Sequence, residues 1–244
     1  MADQVAGQST TDYLQDLLLV TDDVGDFLGE FARFAAARLF DRPGQTLCGI
    51  TLLRNKRPGT VASSNDAART LDELQDLFDE GPCLTACEDQ QTIHVADVAA
   101  DERWPKYLHH AAEHGVGAIL AVPFTLGSGA RAALNVYSTE PGGFNAAAIE
   151  TAESFVAQTS RALMLSVRLA EHNESVTDLK AAMKSRTAID IAIGIIMAQN
   201  RCSQEEAFGI LKSVSSGRNE KIRDIAASVV TSIGQAEPET HFDV

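Results

Sequence analysis

The sequence predicts an α+β domain, a sheet with helices packed on it, followed by a long helix and a small bundle of three short helices. Three observations point there. Apolar runs of strand length alternate with helical stripes between Val24 and Tyr137. From Ala162 to Met183 hydrophobic positions recur at alternating spacings of 3 and 4, the repeat of a two-stranded coiled coil. The stretch from Ser185 to Thr231 holds three amphipathic segments separated by turn signals.

A chain of 244 residues, 45% of them hydrophobic, has room for one medium domain and one small one, each with a core. The four cysteines (Cys48, Cys83, Cys87 and Cys202) are scattered. Neither a signal peptide nor an apolar run near the ~20 residues of a membrane span is legible. Reduced thiols in a cytoplasmic protein are therefore expected. The net charge of -14 is unevenly spread. Between Lys180 and Ser232 eight Lys and Arg stand against five Asp and Glu, a net of +3, which leaves -17 on the remainder. A basic cap on an acidic body points to a polyanion as the partner of the cap. The acidic body disfavours anionic membranes and non-specific DNA.

Met1 to Thr10 is small and polar, a tail expected to be disordered. Thr21 is the candidate cap of a helix with the stripe Val24, Phe27, Leu28, Phe31, Ala35 and Leu39, ended by the turn cluster Asp41-Arg-Pro-Gly44. Leu47 to Leu53 reads as a buried strand and Thr60 to Ser64, after a turn at Arg54 to Gly59, as a shorter one. Ala67 to Phe78 has a helical pattern, Thr92 to Val95 is a strand, and Trp104 to His114 is a helix. Pro105 suits the first position of that helix, with Trp104 anchoring its start in the core. Ala118 to Phe124 and Arg131 to Tyr137 are strands, and Gly127 and Gly129 between them signal a hairpin.

Gln158 to Lys184 is helical with few breakers. Its seam is Ala162, Leu165, Leu169, His172, Val176, Leu179 and Met183. Such a seam either pairs with a second copy or packs on its own domain. The polar surroundings of Glu171 to Lys180 favour the pair, with His172 as its pH-sensitive spot. In the terminal stretch, Ile189, Ala192, Ile193, Ile196 and Met197 make the first stripe, closed by Asn200 and Arg201. Ser203 and Glu206 form a capping box before the second stripe of Ala207, Phe208, Ile210, Leu211 and Val214, which Gly217 is expected to stop. The third stripe is Ile222, Ile225, Ala226, Val229 and Val230. Ala192 and Gly194 read as small residues that let helices pack closely. Beyond Gly234 the acidic tail is expected to be disordered.

Few constellations suggest chemistry. Cys83 and Cys87, four apart, share a face of any helix there, and Gly81-Pro82 before them places a helix N-terminus next to the first thiol. They are the candidate sensor pocket or reactive thiol, set against the plainer role of packing a core. With His94 they lack a complete zinc spacing. His110 and His114 stand at i and i+4 without the glutamate of a zincin, and a solvated helix face accounts for them together with His109. Glu80 and Asp97 have no partner for paired acid–base work. No nucleophile–base arrangement, P-loop or dinucleotide fingerprint is present, and Gly127-x-Gly129 opens no helix, so no catalytic residue, metal or cofactor is expected.

Two resemblances join this reading. Ser185-Arg186, Ile189, Ala192-x-Gly194-Ile195-x-Met197, Ala207-Phe208, Leu211, Ser215-x3-Asn219 and Lys221-Ile222-x-Asp224-x-Ala226 resemble the ANTAR domain over its full length. One position departs, Ile193, where that family usually has a lysine. The order of elements from Asp12 to Ala170 is similar to the GAF domain, an antiparallel sheet flanked by helices that often senses small molecules. Motifs of the version found beside ANTAR modules recur too: Glu80-Gly-Pro-Cys83, Val95-x-Asp97, Arg103-Trp-Pro105, Gly115-Val116 and Leu134-Asn-Val-Tyr-Ser138.

The resemblance implies a transcription antitermination regulator whose dimeric module binds paired hairpin loops in leader RNA, under a sensor with an unknown small-molecule ligand. The expected partition is a tail at 1–10, a sensor at 11–160, a coiled-coil connector at 161–184, an RNA-binding domain at 185–232 and a tail at 233–244. Ser215 and Asn219 match family positions and can bond loop bases. Lys212, Arg218, Lys221, Arg223 and Arg186 can meet phosphates. The alternative is a ligand-sensing or protein-docking scaffold without RNA binding.

Overall fold

The computed structural model describes residues 9–21, 23–39, 46–54, 60–127 and 129–233. Residues 1–8 of the expected first tail, the tail from Gly234, the turns at 41–44 and 55–59, and Ser128 of the hairpin loop lie outside these, whereas Ser9 and Thr10, also expected in that tail, cap and open a helix. The chain forms two compact units, Met1–Ala170 and Glu171–Val244.

The first unit is built on five strands, β1 (Thr46–Arg54), β2 (Thr60–Ser63), β3 (Ile93–Val95), β4 (Ala118–Phe124) and β5 (Ala130–Ser138), in the order β2-β1-β5-β4-β3. Every neighbouring pair is antiparallel, and Leu134 of β5 lies between Ile50 of β1 and Val122 of β4. Successive strand residues point to opposite faces. On one face Cys48, Ile50, Leu52, Leu120, Val122, Leu134 and Val136 pack with helices α1 (Thr10–Val20), α2 (Val24–Arg38) and the first part of α6 (Ala146–Asn200). On the other, Ile119, Ala121, Ala133 and Tyr137 lie under α3 (Asp66–Phe78), α4 (Pro82–Asp89) and α5 (Pro105–Glu113). Both faces are covered, which is why β4 reads as a nearly unbroken apolar run.

Two local expectations are corrected. The α2 cap is Asp23, not Thr21: Asp23 Oδ1 accepts from the Gly25 and Asp26 amides at 2.6 and 3.2 Å. Thr21 instead closes α1, a helix the pattern reading passed over, by donating its amide and hydroxyl to the Leu17 carbonyl. Trp104 and Pro105 open α5 as expected, with the indole nitrogen donating to Thr85 Oγ1 at 3.1 Å.

Helix α6 is continuous over 55 residues. In the first unit its buried stripe is Ala152, Phe155, Val156, Thr159, Ser160, Leu163, Ser166 and Val167. The heptad seam lies on a different face. Leu165, Leu169, Val176, Leu179 and Met183 are exposed, from 36% at Val176 to 61% at Leu179, and only Ala162 partly joins the core.

In the second unit, the last part of α6 packs with α7 (Gln204–Arg218) and α8 (Ile222–Ser232) around Ala188, Ala192, Ile193, Ile196, Ala207, Leu211, Ile225, Ala226 and Val230. Arg201, with φ 51°, ends α6 in a left-handed turn. The capping box is present: Glu206 donates its amide to Ser203 Oγ, and its carboxylate accepts the Ser203 amide at 2.8 Å. Asn219, not Gly217, stops α7, since the helix runs through Arg218 and Asn219 takes the left-handed cap at φ 55°. Gly194 does not mediate helix packing either. Nothing lies within 4 Å of where its Cβ would be. No helix among the described residues is long and apolar enough to cross a membrane.

Candidate functional site

The turn between α7 and α8 gathers most of the predicted contact residues. Lys212, Ser215 and Asn219 recur at helical spacing along α7 and its cap, so they share one stripe. Arg218 precedes the cap, Lys221 is the first cap residue of α8 and Arg223 lies in its first turn. The charged members are exposed. Arg223 Nε is 3.4 Å from Asp224, an exposed pair of little weight. Arg186 stands apart on α6, 3.8 Å from Asp190.

Two of these residues also hold the turn together. Ser215 donates its hydroxyl to the Glu220 carbonyl at 2.5 Å, and its own carbonyl accepts the amides of Asn219 and Glu220. The Ser215 hydroxyl hydrogen is thereby committed, leaving an acceptor lone pair. Asn219 carries a left-handed backbone that asparagine adopts at less cost than alanine. Ile193 is 6% exposed and lies in the bundle core, so the residue at that position governs packing and not surface charge.

The interior of the first unit holds a polar cluster that pattern reading missed. Asp72, fully buried on the sheet side of α3, accepts hydrogen bonds from Tyr137 Oη at 2.5 Å, Asn135 Nδ2 at 2.7 Å and Ser63 Oγ at 2.9 Å. Burial pushes its carboxyl up to about 6, against the pull of those three donors. Gly49 on β1 makes the room: a Cβ there would lie 1.8 Å from Asp72 Oδ2. The signal was present in α3, where the buried stripe Ala68, Leu71, Asp72 and Gln75 has helical spacing but two polar members.

Comparison with known proteins fits these two units. A GAF domain model matches residues 17–164 and an ANTAR domain model matches residues 177–230. The chain belongs to the GAF family and carries an ANTAR domain. The first is a sensor domain and the second an RNA-binding antiterminator module. Both are regulatory domains. Among solved structures, the chain is similar to the GAF domain of a phosphoenolpyruvate-protein phosphotransferase from Coxiella burnetii, at 16% identity over 67% of this chain and 94% of that one, with a TM-score of 0.49. It is also similar to a free methionine-R-sulfoxide reductase from Neisseria meningitidis, at 15% identity over 66% and 87% of the two chains, with a TM-score of 0.45. No curated protein matches the chain.

The short motifs of the GAF domain turn out to be staples. Glu80 Oε1 accepts the amides of Lys106 and Tyr107, at 2.8 and 3.1 Å, and so caps the N-terminus of α5. Gly81, at φ 154°, leaves space for Gln75, whose Oε1 accepts the Cys83 amide at 2.8 Å and caps α4. Asp97 Oδ1 accepts the Ala99 amide, and Arg103 pairs with Asp101, lies over the Trp104 ring and donates to the His94 carbonyl. His110 stacks on Phe78 and bonds Glu113 at 2.8 Å, and His114 bonds the His110 carbonyl.

Of the two readings of the thiols, the structure favours packing. Cys83 does sit in the first turn of α4, but both it and Cys87 are fully buried against Ala121 and Ala133. The hydrogen bond with Cys87, and then burial, raise the Cys83 thiol well above its ordinary value, where the helix-end argument foresaw a fall. Cys48 is likewise buried, with its thiol pushed up by burial, whereas Cys202 is partly exposed. A thiol reagent such as DTNB is therefore expected to label one cysteine, Cys202, in the native protein and four after denaturation. Fast native labelling of Cys83 would restore it as a reactive thiol.

Proposed function

We propose that this chain is an antitermination regulator whose ANTAR unit, paired through α6, binds hairpin loops in leader RNA under the control of the GAF unit. The observation that carries this is the exposed cluster of Lys212, Arg218, Asn219, Lys221 and Arg223, with the half-buried Ser215, around the α7–α8 turn, in the segment that matches the ANTAR domain. Cations there meet phosphates. Asn219 and the free acceptor side of Ser215 reach base edges that only an unpaired loop presents. Arg186 adds a further positive charge from α6. The protein acts in the cytoplasm, where leader RNA is made, and the segment 161–184 is its dimerisation element, with 11–160 as sensor and 185–232 as RNA-binding unit.

The exposed seam of α6 supports the pair. A stripe of four or five large apolar residues on an otherwise polar helix is what a second, identical helix buries. The reading without RNA rests on Ile193 in place of lysine and on the modest net charge of +3, and the place of Ile193 in the bundle core weakens the first of these.

Titration of the full chain with a paired-hexaloop RNA and a loop-scrambled control, at two salt concentrations, tests the reading. Loop-dependent binding that weakens with salt is expected. Equal affinity for both RNAs, or no binding, would sink it. Asn219 is best probed with N219G, because glycine keeps the left-handed cap while N219A adds about 1 kcal/mol of backbone strain. N219G is expected to melt like wild type and to bind the hairpin several-fold more weakly. Unchanged affinity removes the Asn219 amide from the contacts.

A further inference from the structure

We propose that Phe208 is a base-stacking residue, its ring taking the face of an unpaired base in the bound RNA loop. This deepens the RNA-binding reading and rests on it. The pattern of α7 assigns Phe208 to the core, yet the core takes Ala207 and Leu211 and leaves Phe208 42% exposed. A helix turns about 100° per residue, so Phe208 shares one stripe with Lys212, Ser215 and Asn219, at i+4, i+7 and i+11. Three predicted RNA contacts therefore continue, along some 16 Å of helix, from a single exposed aromatic ring.

That combination suits a loop base and not an apolar partner. The other exposed apolar residue of α7, Ile210, is about 200° around the helix from Phe208, so the two make no continuous patch. The seam of α6, with several apolar residues in line, shows what a protein-facing stripe in this chain looks like. A lone ring beside a cation and hydroxyl has the chemistry of single-stranded RNA recognition: the ring stacks on a base, the lysine meets its phosphate, and the polar groups reach its edge.

The experiment uses the full chain, F208L and F208Y with the paired-hexaloop RNA and its scrambled control, and wild type with hairpins carrying 5-iodouracil at successive loop positions. F208L is expected to bind the hairpin roughly tenfold or more weakly and F208Y within about twofold, in line with the loss of one stacked base. Irradiation is expected to cross-link one loop position to Phe208, a readout on the wild-type protein that does not depend on the fold of any variant. Full affinity in F208L, equal losses in F208L and F208Y, or cross-links confined to other residues would overturn the assignment. A weaker dimer in F208L with loop affinity intact would give the ring to a second copy and overturn it too. Wild type that fails to distinguish the loops would instead remove the RNA-binding reading beneath it.

Discussion

L169E/L179E is expected to be monomeric at micromolar concentration, where the proposed pairing through α6 would make the wild-type chain dimeric, and to bind the two-loop RNA at least a hundredfold more weakly. Both leucines lie on the exposed seam of α6 and neither belongs to the buried stripe that holds that helix on the sheet. Burying a leucine contributes about 2 kcal/mol, and four are replaced in each dimer by charges that would face one another. A two-helix seam of this length does not survive that loss. The RNA effect follows from geometry: two modules held together bind paired loops with an advantage of about 10² to 10⁴ over one. Sedimentation velocity reads the first effect and hairpin titration the second, while the melting of the GAF unit should hardly move. A variant that stays dimeric would mean that α6 is not the interface. A monomer with full affinity would mean that each ANTAR unit binds alone.

G49A is expected to destabilise the GAF unit by about 3 kcal/mol, lowering its melting temperature by on the order of 10 °C. The added methyl would lie 1.8 Å from Asp72 Oδ2 and 2.6 Å from Cγ, in an interior with no slack. Either the carboxylate leaves its three donors or α3 lifts from β1. Both outcomes strand buried polar groups. The same carboxylate makes stability depend on pH. Its folded value, about 6, lies above the ordinary 3.8, so the folded chain holds the proton more tightly than the unfolded one. This contribution is fully present below about 3.8 and is lost as pH rises through about 6, roughly 3 kcal/mol in all. Between pH 4 and 7 the melting temperature of wild type should therefore fall relative to D72N, which cannot titrate there. A constant gap would exclude Asp72 as the titrating group, and a G49A protein as stable as wild type would mean that α3 and β1 separate without cost.

Much of this molecule is legible without its structure. The β4 strand was readable to the residue, because both faces of the sheet are covered and the run is apolar throughout. The capping box at Ser203 and Glu206 was equally plain, since it depends on four neighbouring residues and nothing else. The misreadings share a cause. Asp72 and Gln75 sit on the buried stripe of α3, where a hydropathy pattern expects apolar residues, because partners far off in sequence receive them: Ser63, Asn135 and Tyr137 donate to Asp72, while Gln75 accepts the Cys83 amide and donates to Tyr137. Phe208 was assigned to the core because α7 carries more apolar positions than the small bundle covers. For Cys83 the pattern left a reactive thiol beside a packing role, and burial against Ala121 and Ala133 decides for packing.

Legible in the sequence alone are the five strands, the Pro105 start of α5, the capping box of α7, the heptad pattern of α6 and the positions of the cations in the α7–α8 turn. These follow from periodicity and from contacts within a few residues, so a linear reading contains them. Packing in three dimensions sets which stripe of α6 lies on the sheet and which stays exposed, that Phe208 is on the surface, and that a carboxylate rests inside the sensor. Those outcomes depend on what packs opposite each side chain. A residue's own pattern states how much surface it could bury, and its neighbours in space decide whether it does.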